Sequence, residues 1–122
     1  MKRTTQQKRA IRLAFEEAGR PLTVGEVFEA SRRHVPSLNL ATVYRNLKAM
    51  VRDRALHAVR IPGEPSRYEQ SGKGHHHHFQ CESCGRVFDI PCRIEDSDTE
   101  VPREFEVSRH EVMVYGRCEQ CA

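Results

Sequence analysis

Apolar residues in the first half of the chain recur at helical spacing. Ile11, Ala14, Phe15 and Ala18 follow the polar start Thr4-Thr5-Gln6-Gln7 and predict a first helix, ended by Gly19-Arg20-Pro21. Thr23, with Glu26 three residues on, has the form of a capping box. The helix it opens carries Val24, Val27, Phe28 and Ser31 on one side, and Pro36-Ser37-Leu38-Asn39 breaks it. Ser37 or Asn39 then caps a third helix. Leu40, Val43, Leu47, Met50 and Val51 give that helix an apolar face, and its other side carries Thr42, Tyr44, Arg45 and Lys48.

After Asp53 the pattern changes to short alternating segments. Residues 56–61 read as a strand, Pro62-Gly63-Glu64-Pro65 as a turn, and residues 66–69 as the returning strand. Three helices followed by a hairpin form a winged helix, with the third helix free to enter a major groove. Gln70-Ser71-Gly72-Lys73-Gly74 is polar, holds two glycines and reads as a hinge. Residues 75–81, 86–90 and 105–115 have strand character. The expected fold class is therefore α+β: an N-terminal winged-helix DNA-binding domain over residues 1–69, a hinge over 70–74, and a small C-terminal α/β dimerisation domain over 75–122.

Composition sharpens this division. Only 38% of the 122 residues are hydrophobic and none is Trp, so one large core is not expected. The 48 residues from 75 to 122 are too few for a self-sufficient core, so this half needs a metal staple and a partner subunit. Residues 1–60 hold 13 Lys and Arg against 5 Asp and Glu, whereas residues 61–122 hold 7 against 12. A basic first half suits nucleic acid. Arg9 in the basic N-terminus joins Thr42, Tyr44, Arg45 and Lys48 of helix three as the expected DNA contacts. No apolar stretch approaches the roughly 20 residues that a membrane-spanning helix needs.

The chemistry lies in cysteines and histidines. Two Cys-x-x-Cys pairs, Cys81/Cys84 and Cys118/Cys121, are the donor set of a four-thiolate zinc site, here tying together the ends of a subdomain. A disulfide framework is the alternative. Five cysteines is an odd number, and Met1-Lys2-Arg3-Thr4-Thr5 is no apolar leader, so zinc in a reducing cytoplasm is expected instead. Four histidines, His75 to His78, run into the first pair. In a strand His76 and His78 share one face while His75 and His77 share the other, so one strand can serve two metal sites back to back. Imidazole accepts zinc, iron, nickel and copper and does not choose among them.

Several blocks are similar to those of the ferric uptake regulator (Fur) superfamily. They are Thr4-x-Gln6-x2-Arg9-x-Ile11, Ala41-Thr42-Val43-Tyr44-Arg45-x-Leu47 and Arg67-Tyr68-Glu69. His75-His76-x-His78-x2-Cys81-x2-Cys84-Gly85 and Tyr115-Gly116-x-Cys118-x2-Cys121 complete the set, and together the blocks cover nearly the whole chain in the family's order. The resemblance implies a homodimeric, metal-dependent transcriptional repressor of metal-uptake or stress genes, acting on a double-stranded DNA operator. It implies structural zinc at Cys81, Cys84, Cys118 and Cys121, and regulatory iron(II) or zinc, with manganese(II) a further candidate, at Glu69, His76 and His78. A third site would map to His75, His77 and His110, with a carboxylate from Asp89, Glu95 or Asp96.

The chain also departs from the family. Arg20-Pro21-Leu22-Thr23 lacks the histidine that many members place before helix two. His57 on the first wing strand stands where zinc-sensing relatives can place a ligand, so His57, Glu69, His76 and His78 are the expected regulatory set. Residues 91–103 are acidic with no clear apolar stripe, so the long helix that members have there is expected to be shortened, and the extra N-terminal helix of many members is missing. Cys92 is expected to be a bystander, with an extra ligand or a redox-active thiol as alternatives. Two other classes compete with the repressor: a zinc-ribbon enzyme or accessory with Glu69 as acid or base, and a protein of metal storage or delivery.

Overall fold

Side-chain caps and breakers set the boundaries of the helices. The structure, a computed structural model, describes residues 3–95 and 100–122, and it divides into the units Met1–Lys73 and Gly74–Ala122. In the first unit, α1 (Arg3–Ala18) ends at Gly19, whose φ of 61° is the left-handed conformation that glycine tolerates best. Helix α2 (Val24–Arg32) opens with a complete capping box: the Glu26 N–H donates to Thr23 Oγ1 at 3.1 Å, and the Thr23 N–H donates to Glu26 Oε1 at 3.0 Å. Burial pushes the Glu26 carboxyl up, but Arg20, paired to it at 2.6 Å, and Thr23 together hold it below the ordinary carboxylate value. Helix α3 (Leu40–Arg52) is capped by Asn39 rather than Ser37, with Asn39 Oδ1 accepting the Thr42 N–H at 2.9 Å.

The three helices enclose one apolar cluster, with Ile11, Phe15, Val27, Val43 and Leu47 at its centre and Leu56 of the wing closing it. The wing is an antiparallel hairpin of β1 (Leu56–Val59), two residues shorter than the expected 56–61, and β2 (Arg67–Gln70), shifted by one residue from the expected 66–69. Leu22, between α1 and α2, extends this sheet by a bridge to Tyr68, with both N–H···O distances at 2.8 Å. That bridge ties the wing to the helices through the backbone.

Two residues of α3 differ from the apolar pattern. Leu40 occupies the first helical position and is exposed, whereas Thr42 is buried among Val43, Asn46 and Leu47. Thr42 tolerates burial because its polar groups are engaged: its N–H by Asn39, its carbonyl by Asn46 Nδ2 at 2.9 Å, and its hydroxyl by Arg45 Nη2 at 3.1 Å. Ala18, at the end of α1, is likewise exposed.

The second unit is a three-stranded sheet in the order β4-β3-β5. Its central strand β3 (His76–Cys81) pairs antiparallel with β4 (Val87–Pro91) and parallel with β5 (Met113–Gly116). The third strand is much shorter than the strand character of residues 105–115 suggested. Among the described residues of 91–112 no helix forms, where a shortened one was expected, and the missing apolar stripe is the physical reason. Gly116 lies so near Phe79 that an added Cβ would meet the ring at 3.2 Å, a tight contact that glycine avoids where β5 closes on β3. No described helix is long and apolar enough to cross a membrane.

Replacing Asn39 with Ala removes the cap of α3 and should lower stability by about 1 kcal/mol. Chemical denaturation of Asn39→Ala beside Ser37→Ala checks this, with the serine variant expected to stay within about 0.5 kcal/mol of the parent.

Candidate metal centres and nucleic-acid face

The four cysteines come together. Cys81 ends β3 beside Gly116 of β5, and the Glu82 N–H donates to the Gly116 carbonyl at 2.7 Å, so sheet pairing delivers both Cys-x-x-Cys turns to one end of the sheet. The first turn closes at Gly85, with φ of 78° and its N–H donating to the Cys81 carbonyl at 2.9 Å. Cys84 and Cys118 Sγ are 3.8 Å apart, and all four sulfurs lie within 4.8 Å of one another. Two thiolates on one tetrahedral zinc, at about 2.3 Å each, are separated by roughly 3.8 Å. The N–H groups of Cys84 and Cys118, each 3.4 Å from Cys81 Sγ, pull that thiol down to about 6. Its neighbours, Cys118 first, push the Cys121 thiol up to about 12. A metal bound here takes the place of the protons these thiols share, so binding releases protons and weakens as pH falls.

The histidines alternate across β3. The rings of His76 and His78 stand 4.8 Å apart on one face, and those of His75 and His77 stand 4.8 Å apart on the other. Register then assigns Asp89, which pairs with His78. Its Oδ1 lies 3.5 Å from His76 Nε2 and 3.4 Å from His78 Nε2. The His76 Nδ1–H donates to the Gly74 carbonyl at 2.9 Å, which leaves Nε2 as the nitrogen with a lone pair. Asp89 thus belongs with His76 and His78 and not with His75 and His77, as the sequence mapping had allowed. Strand parity is the reason, because β4 residues opposite even-numbered positions of β3 are odd-numbered.

On the other face the cluster is His75, His77, His110 and Cys92. Of the carboxylates expected there, Glu95 is exposed and outside this cluster, and Asp96 lies outside the described residues. His77 is 4% exposed, and burial, then the neighbouring His75 and His110, lower its pKa. Its Nδ1 accepts the Val112 N–H at 3.1 Å.

In the first unit His57 and Glu69 are paired across the wing, with His57 Nε2 and Glu69 Oε1 2.7 Å apart. Glu69 is 1% exposed and also has Lys73 Nζ 3.6 Å away. A buried carboxylate in contact with a half-exposed imidazole can hold a proton or a metal ion.

The exposed side of α3 carries Tyr44, Arg45 and Lys48, and Arg9 is exposed on α1. Thr42 is not on that face; it braces Arg45 from below. Tyr44 is 53% exposed, so its ring is available to a partner.

A model of the ferric uptake regulator family matches residues 1–115. The ferric uptake regulation protein of Bacillus subtilis (strain 168) is 29% identical over 126 aligned positions, covering 98% of this chain and 85% of its own length. The peroxide-responsive repressor PerR of Staphylococcus epidermidis is 26% identical, over 98% of this chain and 81% of its own. Among solved structures, a zinc-bound manganese uptake regulator superposes with a TM-score of 0.83 at 25% identity, covering 96% of this chain and 91% of that one.

Cys118→Ser should lose the zinc of the four-cysteine cluster and the cooperative folding of Gly74–Ala122, since binding energy there is folding energy. Metal analysis together with proteolysis checks this: a zinc-replete, protease-resistant Cys118→Ser protein contradicts it.

Proposed function

This chain belongs to the ferric uptake regulator family, and on that premise we propose that it is a metal-responsive repressor whose two units act on each other through a bound ion. The family is one of transcription regulators, which supports regulation over a zinc-ribbon enzyme. A storage or delivery protein would have no use for a basic winged helix. The observation that carries the reading is the strand β3, which ends in the four-thiolate cluster and presents a histidine pair on each face.

Its parts divide as follows. Residues 1–69 form the DNA-binding domain, 70–74 the hinge and 75–122 the dimerisation domain. Structural zinc at Cys81, Cys84, Cys118 and Cys121 stabilises the sheet that positions the histidines. The regulatory ion draws His57 and Glu69 from the wing, and His76 and His78, with Asp89 beside them, from β3. These donors are nitrogen and oxygen, which suit iron(II), zinc and manganese(II). In a dimer, an ion that favours one orientation of the DNA-binding domains sets the two α3 helices for successive major grooves, and its differential affinity for that orientation is the switching energy.

Two features support DNA as the ligand. Residues 1–60 are strongly basic, and α3 exposes Tyr44, Arg45 and Lys48 from a capped, well-packed helix. Arg45 is held by Thr42 in a defined position, which lowers the entropy lost when it contacts a base edge or phosphate. The test is operator binding in the presence and absence of metal, with iron(II), zinc and manganese(II) titrated separately.

Arg45→Ala should weaken operator binding by about 1–3 kcal/mol if the guanidinium reads a base edge. Unchanged affinity in a quantitative gel-shift titration excludes that role. His57→Ala should keep the dimer and its structural zinc yet lose metal-stimulated DNA binding. If His57 instead contacts DNA phosphate, the variant loses affinity equally with and without metal, and the fold-activation stays at the parent value.

A further inference from the structure

We propose that Cys92 is a metal ligand, completing with His75, His77 and His110 a three-imidazole, one-thiolate centre for a borderline or soft ion such as zinc. A carboxylate in this place would make the centre a harder one. The thiolate gives it a chemistry different from that of the nitrogen-and-oxygen set assigned to regulation, and all four residues lie within Gly74–Ala122. The inference therefore does not depend on how the chain meets DNA.

Register is the first argument. His76 pairs with Pro91, so continuing the β3–β4 ladder by one step sets Cys92 opposite His75, on the face of His75 and His77. The distances agree with this placement. His110 Nε2 is 3.0 Å from His75 Nε2 and 3.2 Å from Cys92 Sγ, and the four donor atoms lie within 4.8 Å of one another. Two nitrogens, or a nitrogen and a sulfur, on one tetrahedral zinc stand roughly 3.3–3.6 Å apart. Three donors are thus already near the spacing that a shared ion requires.

His77 supplies an independent observation. It is 4% exposed, and its Nε2 is buried without a hydrogen-bond partner among the described residues. Leaving such a group unpaired is costly, because burial removes the water that would otherwise pair with it. Because Nδ1 accepts the Val112 N–H, Nε2 carries the proton of the neutral ring, and a cation among the four donors takes that nitrogen once the proton is displaced. Thiolate with imidazole favours zinc over manganese(II) or iron(II), whereas the nitrogen-and-oxygen face of β3 accepts all three.

Cobalt(II) provides the test, because sulfur bonded to cobalt gives a near-ultraviolet charge-transfer absorption that nitrogen and oxygen ligands do not. Full-length protein with its four-cysteine cluster filled with zinc is titrated with cobalt(II). The parent should gain this band, saturating with one thiolate-bound cobalt per chain. Cys92→Ser, which keeps the size of the side chain, should retain its zinc and lose the band. His110→Ala should bind cobalt in this mode at least 10-fold more weakly. Alkylation followed by peptide mapping is the second measurement: zinc beyond the first equivalent should slow modification of Cys92 at least 10-fold. A parent protein without the band, a band undiminished in Cys92→Ser, or Cys92 alkylated at the same rate with and without zinc overturns the assignment.

Discussion

The antiparallel register of His76–Cys81 against Val87–Pro91 is the constraint on which the second unit depends. Side chains alternate along each strand, so once His78 faces Asp89, every other donor is assigned to a face. His76, His78 and Asp89 collect on one side, and His75, His77 and Cys92 on the other. A slip of one residue would exchange the partners, setting Asp89 with His75 and His77 and Cys92 with His76 and His78. What pins the register is the far end of β3, where Cys81 closes a turn, pairs with Gly116 and joins the sulfur cluster. A metal bound by the cysteines therefore fixes the alignment of histidines several residues away.

The first unit works by a different principle, the bracing of an exposed face from a buried one. Asn39 caps α3 through the Thr42 N–H, Thr42 holds Arg45, and Asn46 returns a hydrogen bond to the Thr42 carbonyl. These contacts form a short polar ladder beside the apolar cluster. They give a surface arginine a preferred position without burying its charge, which a nucleic-acid-reading helix needs and a purely apolar face could not supply.

Much of this was legible in the sequence, where the physics is local. The Thr23–Glu26 box, Gly19 at the end of α1 and the parity of the histidines act over four residues or fewer, and each is found in the structure. The cysteine pairs were legible because a metal site demands particular donor types at particular spacings. Thr42 escaped although its partners are near, and the rest of what escaped depends on partners distant along the chain. Thr42 matches the polar side of α3 by residue type, yet hydrogen bonds to Asn39, Arg45 and Asn46 make its burial tolerable. The Leu22–Tyr68 bridge joins residues whose sequence neighbourhoods show no pairing signal. Cys92 looked incidental because its companions, His75 and His110, are far away in sequence. The signal that could have found it was arithmetic: pairing of residue 78 with 89 implies pairing of 75 with 92.

The hydrogen bond from the Val112 amide to His77 Nδ1 has a mechanical meaning. A neutral imidazole carries one proton, and with Nδ1 as acceptor that proton resides on Nε2. An ion that takes Nε2 drives the proton to Nδ1, where it meets the Val112 N–H head-on across 3.1 Å. One of the two must turn away. The Val112 carbonyl is itself joined to the His78 N–H at 3.4 Å, and Val112 directly precedes β5, the strand that runs on towards Cys118. The tautomer of His77 and the seating of Val112 at the head of β5 are therefore set by one shared contact.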